Sequence, residues 1–305
     1  GRGAGARMMT AMLREARERG IALSTLYPAT VTLYRRAGYE RAGARFTITV
    51  DPRTIELPRA PEVTVSEVGG VEPPLVALYE ATAPRFDGFL DRGPYVWSRV
   101  DRPRGMSPRT FAVSHSGSLE GYVVVDHTST GHSPTTVTVT DLAATTGRAA
   151  RAILRLLAEY RSLAGVVEWS GGPSDIFVHS LPERNCTIEL ADYFMVRVVD
   201  VARALSLRRY PRGAHGSLTV EVADASLPEN SGRYALTLEG GRCALGAGAP
   251  GPRVTMSERG LAALYTGFTP PRVLAELGWL EGEPEACALL EEWFAGPLPT
   301  TRDFF

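Results

Sequence analysis

The stretch "GRGAGARMMTAMLREARERG" (1–20) decides how the rest of the chain is read. It opens on glycine, alanine and arginine, and a helical pattern then starts at once. Met8, Met9, Met12, Leu13 and Ala16 recur at spacings of three and four, which predicts a helix over 6–19 with one apolar stripe. Gly20 supplies its C-terminal stop. A glycine-rich turn feeding a helix sets free backbone N–H groups at a positive dipole end, a combination that binds phosphates. The spacing is not the dinucleotide pattern, which needs a preceding strand and a downstream acid. It is not a phosphate-binding P-loop either, because the chain contains no lysine.

Outward from this start, "IALSTLY" (21–27) reads as a buried, parallel strand ended by Pro28. "ATVTLYRRAGY" (29–39) reads as a short helix capped by Gly38, and "ARFTITV" (44–50) as an alternating strand. Residues 51–63 carry three prolines and read as a connector. A second α/β stretch follows. It has helices at 73–83 and 95–99, a hairpin over 110–128 turning at Gly117-Ser118, and a strand at 135–145. An amphipathic helix at 147–163, a strand at 165–172 and a strand-to-helix run at 193–205 complete it. The last third changes character. Strands at 216–224, 232–240 and 241–246 precede helices at 257–266, 270–278 and 284–295, an α+β order.

Length and composition bound the answer. A chain of 305 residues calls for two or three domains. The net charge of −1 gives no global attraction to nucleic acid or membrane, and no apolar run reaches the roughly 20 residues of a membrane span. Cys186, Cys243 and Cys287 are odd in number and far apart, as expected of reduced thiols in the cytoplasm. No metal is expected: no CxxC or clustered histidine ligands occur, and His127 and His132 are the nearest approach to a pair. All 33 basic residues are arginine, which fits a codon bias. Six glutamates and no arginine between Leu274 and Thr301 read as a solvated helix face.

The opening stretch resembles the acetyl-coenzyme A pyrophosphate motif of GNAT acetyltransferases, with Gly3 and Gly5 as its small residues. "LYRRAGYERAG" (33–43) resembles the segment after the next strand of that fold. The element order, "DYFMVRVVDVARAL" (192–205) and the aromatic C-terminus are most similar to the enhanced intracellular survival (Eis) acetyltransferases. The resemblance implies α/β and α+β architecture: tandem GNAT-like domains followed by a sterol-carrier-like domain. The corresponding divisions are 1–50, 51–200 and 201–305. It implies that the first strands of the catalytic sheet precede Gly1.

For the site, the resemblance implies that Gly1, Arg2, Gly3, Ala4, Gly5 and Ala6 hold the pyrophosphate of acetyl-CoA, with Ala29 and Thr30 flanking its thiol end. It assigns Tyr34 as general acid and the C-terminal carboxylate of Phe305 as general base, with Phe304 and Phe305 anchoring the tail. The acceptor is a small amine. The family's acid next to the final Phe is here Phe304, with Asp303 one place further back, which counts against an aminoglycoside acceptor. A homo-oligomer, a hexamer, is expected. The second GNAT-like unit has one glycine in "TGRAARAIL" (146–154) and is expected to be non-catalytic. The rival reading is a lipid- or small-molecule-binding protein working through its last domain.

Overall fold

A computed structural model describes residues 4–127, 135–246 and 251–305. In chain order the elements are α1 (Ala4–Glu18), β1 (Leu23–Leu26), α2 (Val31–Arg35), β2 (Glu40–Val50), β3 (Val63–Val68), α3 (Pro73–Thr82) and α4 (Pro94–Asp101). Then come β4 (Arg109–His115), β5 (Ser118–Asp126), β6 (Thr135–Ala144), α5 (Gly147–Ala158), β7 (Ala164–Gly171), α6 (Ile176–Ser180), β8 (Cys186–Val198) and α7 (Val201–Leu207). The last part holds β9 (Gly216–Ala223), β10 (Gly232–Glu239), β11 (Arg242–Leu245), β12 (Arg253–Ser257), α8 (Glu258–Tyr265), α9 (Pro271–Glu276), β13 (Leu280–Gly282) and α10 (Pro284–Trp293). The mixed α/β and α+β character expected from the sequence is what the chain adopts.

The chain forms two compact units. One is Gly1–Gly43 with Tyr193–Pro299, and the other is Ala44–Asp192 with Thr300–Phe305. In the first, β1 pairs antiparallel with the end of β8, Leu23 opposite Val198 and Leu26 opposite Met195. This corrects the parallel reading of 21–27: a four-residue apolar strand carries no signal for the direction of its partner. The α1 stripe is also narrower than its periodicity suggests. Leu13 is buried and Met9 and Ala16 pack beside it with Tyr39 and Met195, while Met8 and Met12 are 62% and 55% exposed.

The same unit carries a five-stranded sheet in the order β11-β10-β9-β12-β13, antiparallel except for β9 with β12. Strand β12 escaped the sequence reading because "RVTMS" is short and follows a Gly/Pro-rich stretch. Helices α7, α8 and α10 cover this sheet through Leu205, Leu264 and Trp293. Beside that core lies the fully buried pair Arg197–Asp224, 2.7 Å apart. Asp224 also accepts from the Ser226 and Leu227 amides and from the Asn230 side chain. Asp224→Ala would strand a buried guanidinium. It is expected to cost about 3–5 kcal/mol, measured by denaturant unfolding; a loss below about 1 kcal/mol would show the pair to be dispensable.

In the second unit the strand order is β2-β7-β6-β5-β4-β3, antiparallel except for β6 with β7, which α5 connects. One face packs on α5 through Ile153, Leu154 and Leu157, and the other on α3 through Leu75 and Tyr79. The β4–β5 turn is Ser116-Gly117, both at positive φ (49° and 79°), one residue earlier than expected. Two successive left-handed residues match the twist of the flanking strands. Strand β3 lay outside the sequence reading; the three prolines before it masked a run that pairs with β4 from Val63 opposite His115 to Val68 opposite Thr110.

Candidate active site

The first unit carries the Gly/Ala-rich helix start. Gly1, Arg2 and Gly3 lie outside the described residues. Ala4, Gly5 and Ala6 form the exposed first turn of α1, which contains no acidic side chain. Among the described residues, a Cβ built on Gly5 would meet nothing within 4 Å. The turn carries small residues and no carboxylate, a composition that suits a diphosphate at the backbone amides. Ala29 and Thr30 are exposed at the entry to α2, and Thr30 is its N-cap in extended conformation without a side-chain cap bond.

Tyr34 sits on α2, half-buried, its ring edge-on to Tyr39 with centroids 5.9 Å apart. The Tyr34 carbonyl accepts from the Ala37 and Tyr39 amides, which closes the turn after the helix. Tyr39 is buried, hydrogen-bonded to Ser24 Oγ at 2.7 Å, and burial pushes its phenol up. It is a core aromatic. Gly38 has φ +83°, and a Cβ there would lie 2.7–2.9 Å from the side chains of Glu258 and Arg197. Only glycine fits that corner.

Sequence reasoning missed Glu40. It is buried and bridges two arginines: Arg35 donates from Nε and Nη2 (2.7–3.1 Å), and Arg259 donates to Oε2 at 2.6 and 3.0 Å. Burial pushes its carboxyl up, but the hydrogen bonds from Arg35, Arg259 and the Arg41 amide outweigh it and hold it below the usual range. The segment "YRRAGYE" thus has a structural content beside Tyr34: Arg35 and Glu40 lock the turn on which Tyr34 is mounted.

The second unit holds the chain's last six residues. Thr300 donates its amide to Asp87 O at 2.9 Å, and Thr301 donates to Ala44 O at 3.1 Å. Arg302 donates to Asp175 Oδ2 at 2.8 Å and also to Leu142 O. Asp303 is buried on Arg92, which binds it through Nε at 3.0 and 3.1 Å and binds Asp141 at 2.7 and 3.0 Å. Burial pushes the Asp303 carboxyl up against the opposing pull of Arg92. The expected aromatic anchor is corrected here. Phe304 is 59% exposed, with the Arg45 guanidinium 5.5 Å from its ring centre, and Phe305 is half-buried. Buried charge pairs hold this segment, Asp303 on Arg92 and Arg302 on Asp175, pairings that no local sequence pattern announces.

The helix start of α5 in the same unit is closed by its own side chains. Thr146 caps the Ala149 amide, and Glu120 accepts from Thr146 Oγ1 at 2.7 Å and from Arg148 at 2.6 and 2.7 Å. Those bonds, Arg148 first, hold the Glu120 carboxyl down to about 2. A carboxylate thus stands at the end of α5 where an incoming phosphate would have to bind. His127 has its ring 5.8 Å from that of Tyr160, and His132 lies outside the described residues. Among the described residues no three histidine, cysteine, aspartate or glutamate side chains group as a metal site, and no helix is long and apolar enough to cross a membrane.

Comparison with known proteins gives this geometry its class. The acetyltransferase (GNAT) domain families match residues 1–42 and 88–198, and the sterol carrier protein domain family matches 201–302. An uncharacterised N-acetyltransferase of Streptomyces avermitilis is 32% identical over 313 residues, covering 94% of this chain and 73% of that protein. The crystal structure of a GCN5-related N-acetyltransferase from Anabaena variabilis superposes with a TM-score of 0.93 at 30% identity, covering all of this chain and 78% of that one. Eis1 from Mycobacterium abscessus gives a TM-score of 0.78 at 25% identity, covering all of this chain and 79% of its own. The fold and the domain-family matches define an acetyl-group transferase. The chain belongs to the GCN5-related N-acetyltransferase (GNAT) family and carries a sterol carrier domain at its C-terminal end.

Proposed function

We propose that this enzyme transfers the acetyl group of acetyl-CoA to a small amine in the manner of the Eis acetyltransferases, working as a homo-oligomer, a hexamer. In this reading the chain divides into the end of the catalytic domain (1–50), a second GNAT-like domain (51–200) and a sterol-carrier-like domain (201–305). The observation that carries it is the contrast between the two helix starts: the first turn of α1 is Gly/Ala-rich and free of acidic side chains, whereas α5 is closed by Thr146 and Glu120.

The chemistry asks for three things. A base removes the proton of the attacking amine, donors stabilise the oxyanion formed at the thioester carbonyl, and an acid protonates the departing thiolate. We assign the base to the C-terminal carboxylate of Phe305 and the acid to Tyr34, whose phenol can donate to a thiolate held against it. Residues 1–6 hold the diphosphate, and Ala29 and Thr30 flank the thioester end. Among the described residues the Tyr34 hydroxyl has no hydrogen-bond partner, which leaves it available to donate.

Among the described residues, a hollow of about 600 Å³ on the sterol-carrier-like part is lined by Arg208, Arg209, Arg212 and Arg242, which supports acetyl transfer over lipid carriage. A lipid tunnel would be apolar.

Gly5→Val in the full-length protein tests the diphosphate site. The added side chain enters open space, so the melting temperature should hold, while acetyl-CoA affinity should fall at least about tenfold as the methyls obstruct the backbone. Unchanged affinity in calorimetry would remove α1 from the binding site.

A further inference from the structure

We propose that a hollow at the end of α3, lined by none of the residues assigned to acetyl transfer, binds an organic ammonium, a primary amine on an aromatic or apolar stem. Its volume is about 340 Å³, the size of a small-ligand pocket. Tyr79, Phe86 and Phe89 wall it, and Glu80 and Asp91 also line it. The rings are ordered as a stack: Phe86 and Phe89 lie 4.6 Å apart at 21°, and Phe89 and Tyr79 lie 6.3 Å apart at 7°.

The wall is held in place before any ligand arrives. The Phe86 amide donates to Ala83 O at 3.0 Å, Tyr79 Oη donates to Leu90 O at 2.9 Å, and the Thr300 amide donates to Asp87 O at 2.9 Å. Such a pre-formed surface spares a ligand the cost of ordering it. Two of the rings already seat cations: Arg92 lies 3.8 Å from the Tyr79 ring centre, and Arg302 lies 5.1 Å from that of Phe89. Both guanidinium groups are neutralised, Arg92 by Asp141 and Asp303, Arg302 by Asp175. They therefore do not repel a further cation as bare charges would.

The two carboxylates complete the chemistry. Glu80 and Asp91 are exposed, and among the described residues neither has an ion pair or hydrogen bond. No arginine or histidine is among the described residues that line the hollow. Aromatic rings attract a cation through the ring quadrupole, and carboxylates lining the same hollow offset its charge. An anion would meet two like charges, and a neutral apolar molecule would leave both carboxylates unused.

The test is calorimetry on the full-length protein with 2-phenylethylamine, 2-phenylethanol and phenylacetate, three probes with one stem and different charge. The amine should bind with a Kd on the order of 1 mM or tighter, as expected for a ligand of its size. The alcohol should bind at least about fivefold more weakly and phenylacetate should not bind. The double variant Glu80→Gln/Asp91→Asn, both positions exposed, should keep the melting temperature, weaken the amine at least about fivefold and leave the alcohol unchanged. Phe86→Ala should weaken both. The proposal is overturned if the amine fails to bind, if the alcohol binds as tightly as the amine, or if the double variant leaves the amine's affinity unchanged.

Discussion

Tyr34→Phe in the full-length enzyme is expected to lower kcat by about 10²–10⁴-fold while acetyl-CoA affinity stays within about twofold. The ring is part of a packed pair with Tyr39, and it survives the substitution. The Tyr34 hydroxyl holds no partner among the described residues, so the fold loses nothing when it goes. What is lost is the proton for the leaving thiolate, an interaction made only as the thioester breaks. Tyr39→Phe is the control. It removes the hydrogen bond to Ser24 and should cost about 1 kcal/mol of stability with little effect on kcat. Wild-type turnover in the Tyr34 variant would make Tyr34 a core aromatic and nothing more.

One residue added after Phe305 is expected to reduce turnover at least about 100-fold without unfolding the protein. An extension moves the carboxylate by about 3.5 Å, and a misplacement of about 1 Å already costs that much. Residues 300–303 are held by main-chain bonds to Asp87 and Ala44 and by the Arg302–Asp175 and Arg92–Asp303 pairs, so an extension should not release them. Deleting Phe305 should have the same effect. Full activity in the extended enzyme, or an intact mass placing residues after Phe305 in the natural protein, would remove the carboxylate as base.

Much of this was legible in the sequence, and the exceptions have physical reasons. Helices α3 and α10 were read at nearly their true extent and α5 from its true start, though five residues past its end at Ala158, because their apolar residues recur at helical spacing between proline, glycine and threonine boundaries. Strand β3 and the first half of β8 were missed. Their residues are largely polar and mostly exposed, and β3 is held as a strand by its pairing with β4. The direction of β1 was missed because direction belongs to the partner strand. At the site, the Gly/Ala-rich start of α1 and Tyr34 stood out by motif. The Arg35–Glu40–Arg259 bridge and the Arg92–Asp141–Asp303 cluster did not, because their members lie 49 to 219 positions apart in the longer pairings. Long-range ion pairs leave no periodic trace in a single sequence.

The proposed chemistry meets its most direct test in a crystal structure of the full-length enzyme with coenzyme A. The Tyr34 hydroxyl should lie within about 3.5 Å of the coenzyme's sulfur, at hydrogen-bonding reach of the thiolate it protonates, with the diphosphate on the first turn of α1. A sulfur bound more than about 6 Å from Tyr34, or a diphosphate seated away from Ala4-Gly5-Ala6, would contradict the assignment of both.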